Sequence, residues 1–150
     1  MGIIIIDGGR GYIEMIKHND FKNVKIKVPC EEKYIRLARL FVGGIACQMD
    51  FPYDMVENIK IAVSEAVQNI IDHAYNKKEK KPDIEIICNP KKETLEIKII
   101  DHGHGFNLEK AFKHPGFGIS FMKEFMDQIE YKTNVKNGTT LTLRKTPQIN

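Results

Sequence analysis

Ile59-Lys-Ile-Ala-Val-Ser-Glu-Ala-Val-Gln-Asn-Ile-Ile-Asp-His-Ala-Tyr75 is the stretch from which the rest of the chain takes its meaning. Ile59, Val63, Ala66, Val67, Ile70 and Ala74 recur at three- and four-residue steps, the pattern of an amphipathic helix. A second stripe does not fit a plain core helix. Glu65, Asn69 and His73 follow at i, i+4 and i+8, so they stack along one face, with Asp72 close beside them. Flanked by Ala62, Ala66 and Ile70, the carboxylate and the amide are partly removed from water. Leaving such groups unpaired costs about 1–3 kcal/mol each. The stripe is therefore expected to meet a partner, with Asp72 and His73 in supporting or structural positions.

On the N-terminal side, Asp50-Phe51-Pro52 breaks and restarts the chain, and Pro52 suits the first turn of the helix. From Glu31 to Met49 a second helical pattern carries Tyr34, Leu37, Ala38, Phe41, Val42 and Ile45. Gly43-Gly44 either weakens it or lets another element approach closely. Val24-Lys-Ile-Lys-Val28 alternates as a half-buried strand ending at Pro29. Residues 1–23 read as an N-terminal extension, with a short strand at Ile3 to Ile6 and a turn at Asp7-Gly-Gly-Arg-Gly11. The P-loop spacing and its Lys-Ser/Thr ending are absent there, so a turn is the better reading than a phosphate loop.

On the C-terminal side, Lys77 to Pro82 is a charged connector. Strands are expected over Asp83 to Cys88 and Thr94 to Ile100, turned at Asn89-Pro90-Lys91-Lys92. In the second strand Leu95, Ile97 and Ile99 alternate with Glu96 and Lys98, so one face is buried. A glycine-rich connector runs from Asp101 to about Gly118, and a helix is expected from Ile119 to Gln128. Its Phe121, Met122, Phe125 and Met126 read as core packing. Lys136-Asn137-Gly138 turns a final hairpin of Ile129 to Thr133 and Thr139 to Arg144. Helices and antiparallel strands in this order predict a two-layer α+β sandwich, with helices on one face of the sheet.

Size and composition narrow the function. A chain of 150 residues, 29% charged and 42% hydrophobic, fits one domain with a core of its own. The net charge of +3 suits an anionic small ligand or an acidic protein face as well as nucleic acid. A nucleic-acid binder is disfavoured, because no concentrated basic and aromatic face is present. Cys30, Cys47 and Cys88 form no CxxC pair, which argues against a disulfide framework or zinc site and for a reducing, cytoplasmic setting. No apolar run is long enough to span a membrane, which excludes an intact membrane sensor.

Three further stretches carry chemistry. Asp101-His-Gly-His-Gly105 leaves the end of a buried strand, where an aspartate can accept a hydrogen bond from an exocyclic amine. Its glycines let backbone come close to a ligand. A metal site at His102 and His104 is the weaker reading, since no further ligand is evident. Gly116-Phe117-Gly118 opens directly into a helix, where free N–H groups and the helix dipole favour phosphate. Gly138-Thr139-Thr140 sets hydroxyls on a late strand.

Taken in order, Glu-x-x-x-Asn on a helix, Asp-x-Gly-x-Gly after a strand, Gly-x-Gly opening a helix and Gly-Thr-Thr resemble the four boxes of the GHKL ATP-binding superfamily. Within it the chain is most similar to the anti-sigma-factor serine kinases of the RsbW and SpoIIAB type. The likeness lies in Ala62 to Tyr75, Gly116 to Asp127 and Gly138 to Leu143, and covers about Val24 to Lys145. It implies a domain over 24–145, a tail at 146–150, and a GHKL (Bergerat) sheet, mixed but mostly antiparallel. It also implies an ATP–Mg²⁺ site, with Asn69 as the Mg²⁺ ligand and Asp101 as the adenine reader. Gly103 and Gly105 would shape the adenine pocket, Gly116, Phe117 and Gly118 would offer backbone to the phosphates, and Thr140 would support the base side. Glu65 would be the general base for a serine hydroxyl on an antagonist protein, and a partly desolvated carboxylate suits that work. A sigma factor as second partner and a homodimer follow from the same likeness.

One departure bears on activity. Between Gly105 and Gly116 the connector is only Phe106 to Pro115, shorter than the lid of these kinases. His114-Pro115 stands where the family carries an arginine before its glycine pair, and Lys110 or Lys113 would have to substitute. That favours, as alternative, a nucleotide-dependent protein-binding switch without phosphotransfer. A histidine-kinase catalytic fragment is a third reading, weakened by Glu65 and by the lack of a helical phosphoacceptor module.

Overall fold

The computed structural model describes residues 22–105, 113, 118–134 and 136–147. The expected strand at Ile3 to Ile6, the turn at Asp7 to Gly11 and nearly all of the connector 106–117 lie outside them.

The long helix forms as its periodicity predicts and begins beside Pro52. Helix α2 spans Tyr53–His73 with Pro52 as its N-cap at φ −55°, ψ 149°. A proline lacks the N–H that a helix start leaves unbonded anyway, so the position suits it. Asp54 in the first turn and His73 in the last complement the helix dipole. Its buried stripe is Val56, Ile59, Ala62, Val63, Ala66, Val67, Asn69 and Ile70. Helix α1, Ile35–Gln48, follows a short 3₁₀ turn at Glu32–Tyr34 and buries Ala38, Val42, Gly43 and Ala46. Gly43 lies against the aliphatic stem of Lys60 on α2, whereas Gly44 faces open space, so only the first glycine serves close approach.

Five strands, β1 (Val24–Val28), β2 (Ile84–Lys91), β3 (Thr94–Asp101), β4 (Gln128–Asn134) and β5 (Gly138–Lys145), form one sheet in the order β1-β2-β3-β5-β4. The sheet was expected to be mixed and mostly antiparallel; every pairing among the described residues is antiparallel. Strand β2 runs past its expected end, with Pro90 opposite Leu95. Proline is tolerated because β1 has already ended, its last pair being Val24 with Cys88, so that side of β2 needs no ladder bond. The turn contracts to Lys92-Glu93, with Lys92 at φ 50°.

One face of the sheet makes the core. Val28, Ile84, Ile86, Cys88, Ile97, Ile99, Leu141 and Leu143 are buried with the apolar stripes of the helices. Each such aliphatic side chain contributes about 1.5–3 kcal/mol when fully buried. The third helix, α3, is shorter than expected, Ile119–Phe125. Met126 turns to an extended conformation, and the Asp127 N–H bonds the Arg144 carbonyl at 2.9 Å to start β4. Ile119, Met122 and Met126 reach the core, but Phe121 is 48% exposed, stacked on Phe125 outside it. Among the described residues no helix is long and apolar enough to cross a membrane.

Candidate functional site

The second stripe of α2 faces the ends of β3 and β5. Ala66, Asn69 and Ile70 from α2, Ile99 and Asp101 from β3, Thr139 and Leu141 from β5 and Tyr131 from β4 line one narrow cleft of about 10 Å³. That is room for about one water. Three of its side chains are polar and nearly inaccessible: Asn69 at 6%, Asp101 at 1% and Thr139 at 3%. Hiding polar groups stabilises nothing unless they are bonded. Among the described residues no fully buried side-chain nitrogen or oxygen lacks a partner.

Asp101 ends β3, and the loop after it folds back onto the C-terminal end of α2. Asp101 Oδ1 accepts a hydrogen bond from the Gly103 N–H at 2.9 Å. The His104 N–H donates to the Ala74 carbonyl at 3.0 Å, and the His102 N–H donates to the Tyr75 hydroxyl at 2.9 Å. Gly103 is packed so tightly on Ala74 that any Cβ would overlap the Ala74 carbonyl, so only glycine fits. Burial pushes the Asp101 carboxyl above the ordinary aspartate range, against the N–H groups of Gly103 and Thr139 and the nearby His102. Gly105 follows at φ 69°. At the loop's outer side, His104 Nε2 lies 2.9 Å from Glu79 Oε2, and this partnership holds the Glu79 carboxyl below its ordinary range.

Glu65 stands beside this cleft, one helical turn before Asn69 on α2, and is half-buried. Gly118 caps α3 in the left-handed conformation, φ 60°, and lies directly on the Glu65 side chain. A Cβ at Gly118 would overlap the Glu65 carboxylate. The Glu65 and Gly-x-Gly boxes, 53 residues apart in sequence, are therefore in contact. Gly116 and Phe117 lie outside the described residues, as do Lys110 and His114; Lys113 is exposed. Asp72 and His73 are exposed, and Asp72 accepts a hydrogen bond from Gln68 at 3.0 Å. No group of three His, Cys, Asp or Glu side chains among the described residues is arranged to hold a metal ion.

Thr140 is not among the residues that line the cleft. Thr139 is the residue paired with Asp101 and lining the cleft, while Thr140 pairs with Ile100. Side chains alternate along a strand, so neighbouring threonines lie on opposite faces. Counting back by twos from Leu143 and Leu141 leads to Thr139; the Gly-Thr-Thr triplet alone does not distinguish the two hydroxyls. Ala74 and Tyr75 were likewise not singled out from sequence.

The comparisons with known proteins agree with this geometry. Residues 28–145 match the family of the histidine kinase-like ATPase domain. The chain is 33% identical over 142 residues to the serine-protein kinase RsbW of Oceanobacillus iheyensis, covering 85% of this chain and 88% of that protein. It is 34% identical over 125 residues to the RsbW of Bacillus mycoides, covering 73% and 77%, and 29% identical over 142 residues to that of Bacillus subtilis, covering 85% and 87%. The crystal structure of the RsbU and RsbW domains of a Mycobacterium tuberculosis protein superposes with a TM-score of 0.62 at 16% identity, over 86% of this chain and 34% of that one. Asn69, Asp101 and Thr139, from three sequence boxes, line one cleft, Glu65 beside it touches Gly118 of the fourth, and both the family match and the relatives extend across all of these residues: the chain belongs to the histidine kinase-like ATPase family, as a serine-protein kinase of the RsbW type.

Proposed function

We propose that this protein uses ATP to phosphorylate a serine on a small antagonist protein, and that it also sequesters a sigma factor, acting as a homodimer in the cytoplasm. The observation that carries the reading is that Asn69 and Asp101, from two sequence boxes, line one cleft, while Glu65, one turn before Asn69, is covered by Gly118 of a third. Asp101 accepts the exocyclic amine of adenine, with Thr139 rather than Thr140 beside it. Gly103, by letting the loop pack on Ala74, and Gly105 shape the pocket for the base, and the backbone of Gly116, Phe117 and Gly118 meets the phosphates. The Asn69 amide oxygen, a hard ligand, suits Mg²⁺, which takes few protein ligands and fills its shell with phosphate and water. When bound, Mg²⁺ neutralises charge on the phosphates.

The serine Oγ attacks the γ-phosphorus, the bond from that phosphorus to the β–γ bridging oxygen breaks, and ADP leaves. Glu65 takes the Oγ proton, its carboxylate held in place by the contact with Gly118. On α1, Leu37 and Leu40 are exposed, 50% and 61%, next to Arg36 and Arg39, a surface compatible with an acidic protein partner. The free thiols of Cys30, Cys47 and Cys88 fit a reducing compartment.

The test is incubation with ATP, Mg²⁺ and an antagonist encoded nearby. Phosphoserine on the antagonist, lost in Glu65→Gln, is the expected result. Binding of ATP with no transfer from wild type would instead favour the switch without phosphotransfer, the reading to which the arginine-free connector Phe106 to Pro115 lends support.

A further inference from the structure

We infer that Tyr75 is a positioning residue for recognition of the nucleobase, its hydroxyl fixing the loop that aims Asp101. The inference rests on the reading of Asp101 as the group that meets adenine. Three successive N–H groups follow Asp101, and each has a separate anchor. His102 donates to Tyr75 Oη at 2.9 Å, Gly103 to Asp101 Oδ1 at 2.9 Å and His104 to the Ala74 carbonyl at 3.0 Å. Two of the three anchors are the residues that close α2, where Ala74 is the C-cap. The last carbonyls of a helix have no partner within it. Here the loop from a different element supplies one.

The middle bond orients the carboxylate together with the Thr139 N–H, and it has no freedom of its own. Gly103 is held between two anchored neighbours and is pressed on Ala74 closely enough to exclude a side chain. Removing the Tyr75 hydroxyl frees the His102 side of that arrangement. His102 is exposed, so water can satisfy its N–H and the fold loses little. The aim of Asp101, however, is no longer set from both sides. A carboxylate that aims at an exocyclic amine discriminates only when it is held still, because a buried acceptor left unpaired is what penalises the wrong base.

The experiment compares Mg-ATP with the triphosphate of purine riboside, which lacks the 6-amino group, by titration calorimetry on wild type and Tyr75→Phe. Phenylalanine keeps the ring and its packing. The expected result is a wild-type preference for ATP, an ATP affinity about fivefold to tenfold weaker in Tyr75→Phe, and an analogue affinity changed less than about twofold. The preference shrinks. Equal weakening for both ligands would mean that Tyr75 is only structural and would overturn the inference, as would a full preference retained in the variant. Wild type binding neither ligand would overturn the ATP reading and this inference with it. Hydrogen exchange on ligand-free wild type gives a check independent of any variant: the amides of His102, Gly103 and His104 should be protected together, and exchange of all three at unprotected rates would also overturn it.

Discussion

The two ends of the site are built by different means. At the base end, Asp101 and the loop after it are held by three directional hydrogen bonds to Asp101 itself and to the end of α2. At the transfer end, Glu65 and Gly118 meet by close packing, and α3 starts with no side-chain cap bond. The contrast separates what each end tolerates. Hydrogen-bonded geometry is sensitive to the loss of a donor or acceptor, although Gly103 within it is packed on Ala74 as closely as Gly118 is on Glu65. Packed geometry responds to a single added methyl group.

The transfer end should respond most strongly to a change of charge. Glu65→Gln keeps the volume and removes the proton acceptor, so phosphotransfer should fall about 10²–10⁴-fold. Calorimetric ATP affinity should stay within about twofold; a parallel loss of affinity would place Glu65 in binding and erase the distinction between the ends. Between them, Asn69→Ala should remove the Mg²⁺-dependent part of ATP binding. Wild type at about a hundredfold over Kd should gain about 2.7 kcal/mol, read as a rise in Tm. The variant should gain no more with Mg²⁺ than wild type gains with ATP and EDTA. An undiminished Mg²⁺ response would put the metal elsewhere.

Gly118→Ala tests the packing directly. The left-handed backbone alone costs an L-residue about 1–2 kcal/mol, and the methyl group displaces the Glu65 carboxylate. Stability by urea titration should fall by about that amount, with loss of transfer larger than loss of ATP affinity. Normal transfer in this variant would show that the contact is incidental.

The smallest effect is at the base end and depends on pH. The folded protein holds the Asp101 carboxyl above its ordinary value near 3.8. Protonation is thus favoured by folding, and stability from this group is full below the ordinary value and lost as pH rises through the raised one. Asp101→Asn should make the ligand-free protein more stable at pH 7, on the order of 1 kcal/mol. The advantage should vanish below the ordinary aspartate range, as melting curves across pH would reveal. The same variant should lose ATP. A variant less stable at pH 7 would mean that the bonds from Gly103 and Thr139 outweigh burial.

What was legible in the sequence is what repeats. The stripe of α2 and the alternation in β1 and β3 are local periodicities; the first put Asn69 on a partly desolvated face, whereas Asp101, read as the start of the connector, closes β3 on its buried face. Where a boundary depended on a neighbour, sequence was a poorer guide. Pro90 signals a turn until it is known that β1 has already ended beside it. Met126 looks like one more helical hydrophobe until the Arg144 carbonyl captures the next N–H. The Tyr75 hydroxyl and the His102 N–H are 27 residues apart and share no pattern, so only the fold brings them together.

The Ala74 carbonyl, bonded to the loop of β3, has a mechanical consequence. It fastens the far end of α2 to the strand that carries Asp101, which turns the helix into a ruler with one end clamped. Glu65 and Asn69 are then graduations on it, about 6 Å apart by helical rise. Under the proposed function, the spacing from nucleobase to metal to incoming hydroxyl would be set by turns of a rigid rod.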